Sequence, residues 1–95
     1  MRQYELVLMI NPDADQERID VVVERIRKVT GEYGGEIVSE NNWGKRKLAY
    51  KIGSYTEANY HLANIQMENG GSQALESNLK LAEDVIRHLL VRTED

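Results

Sequence analysis

The stretch Asn42-Trp43-Gly44-Lys45-Arg46-Lys47-Leu48-Ala49-Tyr50-Lys51-Ile52 carries four basic residues, no acidic one and the only Trp of the chain. Its apolar residues alternate, with Leu48, Tyr50 and Ile52 on one parity. Successive side chains leave a strand on opposite sides, so this alternation marks a strand with one buried face. The same segment is thus expected to be both a piece of sheet and the concentrated basic surface.

Upstream, the strand reads from Glu36 to Ile52 with a bend, and Asn41 to Gly44 fits a bulge, a twisted middle or a short loop equally well. Gly31, Gly34 and Gly35 precede it and close a helix over Asp15 to Glu32. Ile19, Val22, Val23, Ile26 and Val29 fall on one stripe of that helix. Asp13 and Asp15 are both candidate caps for its start. Ahead of it, Gln3 to Ile10 alternates as a strand with Tyr4, Leu6, Leu8 and Ile10 on one face, and Asn11-Pro12-Asp13 ends it.

Downstream, Gly53 to Asn59 reads as a connection and Tyr60 to Met67 as a strand. His61, Ala63, Ile65 and Met67 form one of its faces, and Tyr60 and Leu62 belong to the other. Ser72 is positioned to cap a helix to about Leu81, with Leu75, Leu79 and Ala82 inward. Val85 to Arg92 is the last strand, and Thr93 to Asp95 a polar end. The order strand-helix-strand, twice, favours a split arrangement in a single domain spanning 1–95. That is the α+β ferredoxin-like βαββαβ sandwich, a four-stranded antiparallel sheet with both helices on one face. Its other face is expected to be uncovered by helix.

Composition narrows the chemistry. The absence of Cys excludes disulfides, thiolate metal sites and a Cys nucleophile. The charged N-terminus does not resemble a signal peptide, and the apolar run Leu6 to Ile10 is far below the ~20 residues a bilayer span takes. A cytoplasmic protein is the expectation. The net charge is -4 overall and +4 within residues 43–52, which leaves -8 for the rest. A polyanion would meet one landing zone on a repelling body, and a basic protein would meet the opposite.

Lys45, Arg46 and Lys47, with Lys51, suit phosphate oxygens, Arg through its planar fork and Lys through a compact charge. The same cations would also keep an exposed hairpin from pairing edge to edge. Arg2, Arg87 and Arg92 sit on strands or at strand ends, where each either extends the basic zone or is an ordinary surface Arg. Trp43, Tyr50, Tyr60 and Tyr4 are aromatic residues on strands, open to base stacking or to plain packing, with packing favoured for Tyr4 and Tyr50. His61 and His88 fall on inward rows of separate strands and read as core or edge imidazoles. No paired His ligands, phosphate-cradling loop or nucleophile turn is present, so no catalytic residue, metal site or cofactor is expected.

Three motifs carry a resemblance: Arg2-x-Tyr4-Glu5, then Trp43-Gly44-Lys45-Arg46-Lys47-Leu48-Ala49-Tyr50-x-Ile52, then Val85-Ile86-Arg87 with Val91-Arg92-Thr93. Together they resemble the bacterial small-subunit ribosomal protein S6 family, over the whole chain from Met1 to about Thr93. The resemblance implies a ferredoxin-like fold and a structural, non-enzymatic role in the ribosome. It implies binding to the central domain of small-subunit rRNA together with the small basic ribosomal protein S18. Carried over by position, Arg2, Lys45, Arg46, Lys47, Arg87 and Arg92 are the candidates for rRNA contact, and strand parity offers Tyr60, Leu62 and Leu89 for the protein partner. Many members have Pro where this chain has Lys51, and many carry a longer C-terminal tail. The competing reading is a ferredoxin-like small-molecule-binding or regulatory domain that dimerises through the bare sheet face. Tyr60, Leu62 and the two His motivate it.

Overall fold

Tyr4, Leu6, Leu8 and Ile10 alternate with polar or half-exposed neighbours, and in the computed structural model, which describes residues 1–93, they form the buried row of strand β1 (Arg2–Ile10). Asp15 then caps helix α1 (Gln16–Glu32), its carboxylate accepting from the Arg18 backbone N–H at 2.9 Å. The other candidate cap, Asp13, instead donates its N–H to the Asn11 side chain. The stripe Ile19, Val22, Val23, Ile26 and Val29 is buried as expected.

Helix α1 ends in a pair of reverse hydrogen bonds, Gly35 N–H to Thr30 C=O at 2.8 Å and Gly34 N–H to Gly31 C=O at 3.1 Å. Gly34 has φ +68°, the left-handed value that this termination requires. Strand β2 (Glu36–Ile52), strand β3 (Tyr55–Met67), helix α2 (Gly71–Lys80) and strand β4 (Val85–Arg92) follow. The sheet is antiparallel throughout, in the order β2-β3-β1-β4, and both helices contribute to one core on one face. This is the ferredoxin-like sandwich. Guanidinium–carboxylate contact between Arg18 and Asp84 joins α1 to the start of β4, including Nε to Oδ2 at 3.1 Å. The hydrogen bonds that Arg18 donates to Asp84, ahead of the carboxylate's charge, raise the pKa of this exposed guanidinium.

Three expectations need correction. Strand β3 begins at Tyr55 rather than Tyr60, because Tyr55 to Asn59 pair with β2 despite the weak strand preference of Glu57, Ala58 and Asn59. The connection shrinks to Gly53-Ser54, and Gly53 takes φ +59°, as a two-residue hairpin loop with glycine first demands. Helix α2 is capped by Gly70 at φ +94° and not by Ser72, which lies inside its first turn. Finally, Leu48 and Ile52 are half-buried and Tyr50 is 62% exposed, so their row does not enter the core. Glu94 and Asp95, part of the polar end, lie outside the described residues.

Two glycines give opposite expectations. A Cβ on Gly35 would stand 1.8 Å from the Gln66 carbonyl oxygen, a clash with backbone that only movement of β2 against β3 relieves. Gly35→Ala should cost about 2 kcal/mol or more in urea unfolding. A Cβ on Gly31, inside α1, meets nothing within 4 Å, so Gly31→Ala should stabilise by about 0.5–1 kcal/mol. Equal effects of the two would contradict the packing described.

Candidate nucleic-acid interface

Strand β2 has 17 residues, which fully extended reach about 55 Å at ~3.3 Å each. The longest dimension of the molecule is 36 Å. The strand therefore bends, and its pairing with β3 shows where. Val38 and Trp43 are extra residues in the ladder, and the register slips again between Lys47 and Ile52. Extra residues of this kind bend and twist a strand. Beyond Asn42 the β2–β3 hairpin leaves the helical cover and becomes an arm.

The arm curls across the sheet. Arg87 Nη1 donates to the Tyr50 hydroxyl at 2.6 Å, although β2 and β4 are opposite edges of the sheet. Tyr50, expected to pack as an ordinary aromatic, is instead an exposed tether from the arm to β4. This role has no periodic signature in the sequence, because it depends on how far the hairpin bends.

The basic residues of the arm are displayed. Lys45 pairs with Asn59, Arg46 with Ala58 and Lys47 with Glu57, and all three are exposed, as is Lys51. Directly paired residues share a face, so Lys45 and Lys47 leave one side of the ribbon and Arg46 the other. Arg46 lies 5.0 Å from the centre of the Trp43 ring. The described residues contain no salt bridge to any of these four cations. The acids nearby in β2 and α1 are otherwise engaged, Glu40 and Glu24 with Arg27.

The six residues expected at rRNA divide into two groups. Arg87 pairs with Met9, near the Ile10 end of β1, and Ile10 pairs with Asn59 at the base of the arm. Lys45, Arg46, Lys47 and Arg87 thus gather at one end. Arg2 and Arg92 lie at the other, where Arg92 pairs with Tyr4. The eight steps from Arg2 to Ile10 span about 26 Å. Of the three arginines weighed as extensions of the basic zone, Arg87 lies at the arm, while Arg2 and Arg92 are set apart from it by the length of β1.

Between them lies the sheet face without helices. Leu62, Val7 and Leu89 are paired side by side across β3, β1 and β4, and Tyr60, Met9 and Arg87 form the next row. Leu89 is 57% exposed and Val91, on the same face, 46%. Tyr60, Leu62 and Leu89 are therefore brought together on one open apolar surface. Val7, Met9 and Val91 complete it and were missed as site residues, although the odd parity of β1 already put Val7 and Met9 on that face.

The family model described as Ribosomal protein S6 matches residues 3–92. The chain belongs to the ribosomal protein S6 family. Small ribosomal subunit protein bS6 of Thermoanaerobacter pseudethanolicus is 39% identical over 95 residues, covering 100% of both chains. That of Heliobacterium modesticaldum is 36% identical, covering 100% of this chain and 99% of the relative. The crystal structure of 30S ribosomal protein S6 from Thermotoga maritima superposes with a TM-score of 0.87 at 29% identity, over 97% of this chain and 87% of that one. As an S6-family member, the chain is a structural protein of the small ribosomal subunit and not an enzyme.

The two His carry no catalytic arrangement in this S6-family chain. His61 is 7% exposed, its Nε2 lies 3.3 Å from Glu40 Oε2, and neither ring nitrogen makes a hydrogen bond. It is a core imidazole, but not a satisfied one. It lines a cleft of about 420 Å³ with Asp20, Glu24, Arg27 and Glu40, whose only cation is already held by two carboxylates. His88 borders a second groove beside Arg87 and Lys80. Among the described residues no group of three or more His, Cys, Asp or Glu is placed to hold a metal. No described helix is long and apolar enough to cross a membrane.

Removing the tether should loosen the arm without unfolding the sandwich. Tyr50→Phe deletes an exposed hydrogen bond, so global stability should fall by less than about 1 kcal/mol. Backbone amides of Leu48 to Ile52 should exchange with solvent markedly faster, while those of β1 keep their protection. Unchanged exchange in the arm would show that other contacts hold it.

Proposed function

We propose that the protein binds the central domain of small-subunit rRNA in the cytoplasmic ribosome, paired with the small basic protein S18. The basic arm and Arg87 take phosphates at one end, Arg2 and Arg92 take them at the other, and the partner docks on the open sheet face between. The observation that carries this reading is the cluster of exposed cations at the arm, without salt bridges among the described residues, on a chain of net charge -4.

The charges decide how this binding works. A net anionic chain is repelled by RNA beyond the reach of its arm. A basic partner on the face flanked by the two cationic ends offsets that repulsion, so the pair binds more tightly than this chain alone. The apolar rows Leu62, Val7, Leu89 and Tyr60, Met9 give the partner a desolvated centre with charge at its margins, the usual layout of a protein interface. The two basic groups, about 26 Å apart along β1, call for an RNA surface that passes both ends rather than a single short duplex.

Two measurements test this. Affinity for a central-domain rRNA fragment should rise clearly when S18 is added, and no gain would count decisively against the paired reading. Leu89→Asp should abolish that gain while leaving the melting temperature nearly unchanged, because Leu89 is 57% exposed. In the pair, the double change Lys45→Ala and Lys47→Ala should flatten the slope of log K against log salt by about 1.8, at ~0.9 for each phosphate no longer neutralised.

A further inference from the structure

We propose that Trp43, capped by Arg46, is a stacking platform for an unpaired nucleobase. This inference rests on the rRNA-binding reading above and adds to it a contact with a base rather than with phosphate. The backbone around Trp43 is arranged to expel it. Trp43 is the extra residue between the pairs Asn42–His61 and Gly44–Tyr60, so it faces no partner residue across the ladder. The Gly44 N–H donates to the Asn42 side chain at 2.9 Å, closing a tight local turn. Gly44 takes φ +75°, where a Cβ would meet nothing within 4 Å, so the residue type is set by conformation and not by space.

The expelled ring is then oriented. The Arg46 guanidinium lies 5.0 Å from the ring centre, and its Nε donates to the Trp43 carbonyl at 3.5 Å. A cation over an indole at this distance is attracted by the electron-rich face. It covers one face of the ring, and Trp43 remains 44% exposed. An oriented aromatic ring left to solvent, beside an Arg plane on a basic arm, is the combination that holds splayed-out bases in single-stranded RNA. A duplex, with its bases stacked inside, offers such a ring nothing to bind, so the ligand is a base in a loop, bulge or junction.

The split of the arm makes the contact separable. Lys45 and Lys47 project from the opposite side of the ribbon to Arg46, so removing the indole leaves their phosphate contacts in place. Stacking on an aromatic side chain contributes about 1–3 kcal/mol per base, a factor of about 5 to 150 in affinity.

The experiment compares wild type, Trp43→Ala and Trp43→Phe in binding labelled central-domain rRNA with S18 present. Trp43→Ala should weaken binding by at least about 5-fold with the salt slope unchanged, and Trp43→Phe should restore most of the loss. Subtracting the Trp43→Phe signal from wild type isolates the emission of Trp43, which should be quenched by the RNA. Thermal melts of both variants separate a folding defect from a binding one. Equal affinity of Trp43→Ala and wild type, no advantage of Phe over Ala, or unquenched Trp43 emission would overturn the stacking role alone. Absence of RNA binding by wild type, with and without S18, would instead overturn the rRNA-binding reading and this one with it.

Discussion

The ladder between β2 and β3 is longer than the layer of helices that covers it. The rest of the molecule follows from this mismatch. Two helices, of 17 and 10 residues, bury one face of the sheet over the length of β1. A strand of 17 residues cannot stay beneath them. What projects lies beyond the helices, so it carries the exposed Lys45, Arg46, Lys47 and Lys51 where a covered strand would carry Val or Ile. It must also bend, which the ladder achieves by placing extra residues at Val38 and Trp43.

Charge is distributed by the same geometry. On the body, two cations are held by carboxylates, Arg18 by Asp84 and Arg27 by Glu24 and Glu40. Surface pairs of this type add little to stability, of order 0–1 kcal/mol each, but they remove cations from competition for a ligand. The arm has no such partners among the described residues. The molecule thus separates cations that tie elements together, Arg18 and Arg27, from the displayed cluster Lys45, Arg46, Lys47 and Lys51 of the arm.

The sandwich was legible because its signals are periodic. The stripe of α1, the inward row of β1 and the row His61, Ala63, Ile65, Met67 each repeat at the spacing of their element, and each is buried. The arm was legible as charge but not as shape. Its alternation of Leu48, Tyr50 and Ile52 mimics a covered strand, yet no covering layer reaches it, and periodicity says nothing about how far a neighbouring layer extends. Strand β3 was read too short because Glu57, Ala58 and Asn59 have no preference for strand and are held there by β2. The grouping of Arg87 with the arm, and the separation of Arg2 and Arg92 from it, depend on register across the sheet, which a single strand does not encode.

The bond between Tyr50 and Arg87 has a consequence for recognition. Arg87 uses Nη1 to hold the hydroxyl, and a guanidinium has five N–H groups in one plane. Its Nε and second amino group remain able to grip two oxygens side by side. The tyrosine therefore selects a side-chain rotamer before any ligand arrives. Part of the freedom a long flexible cation would surrender on meeting its target is already gone in the unbound protein.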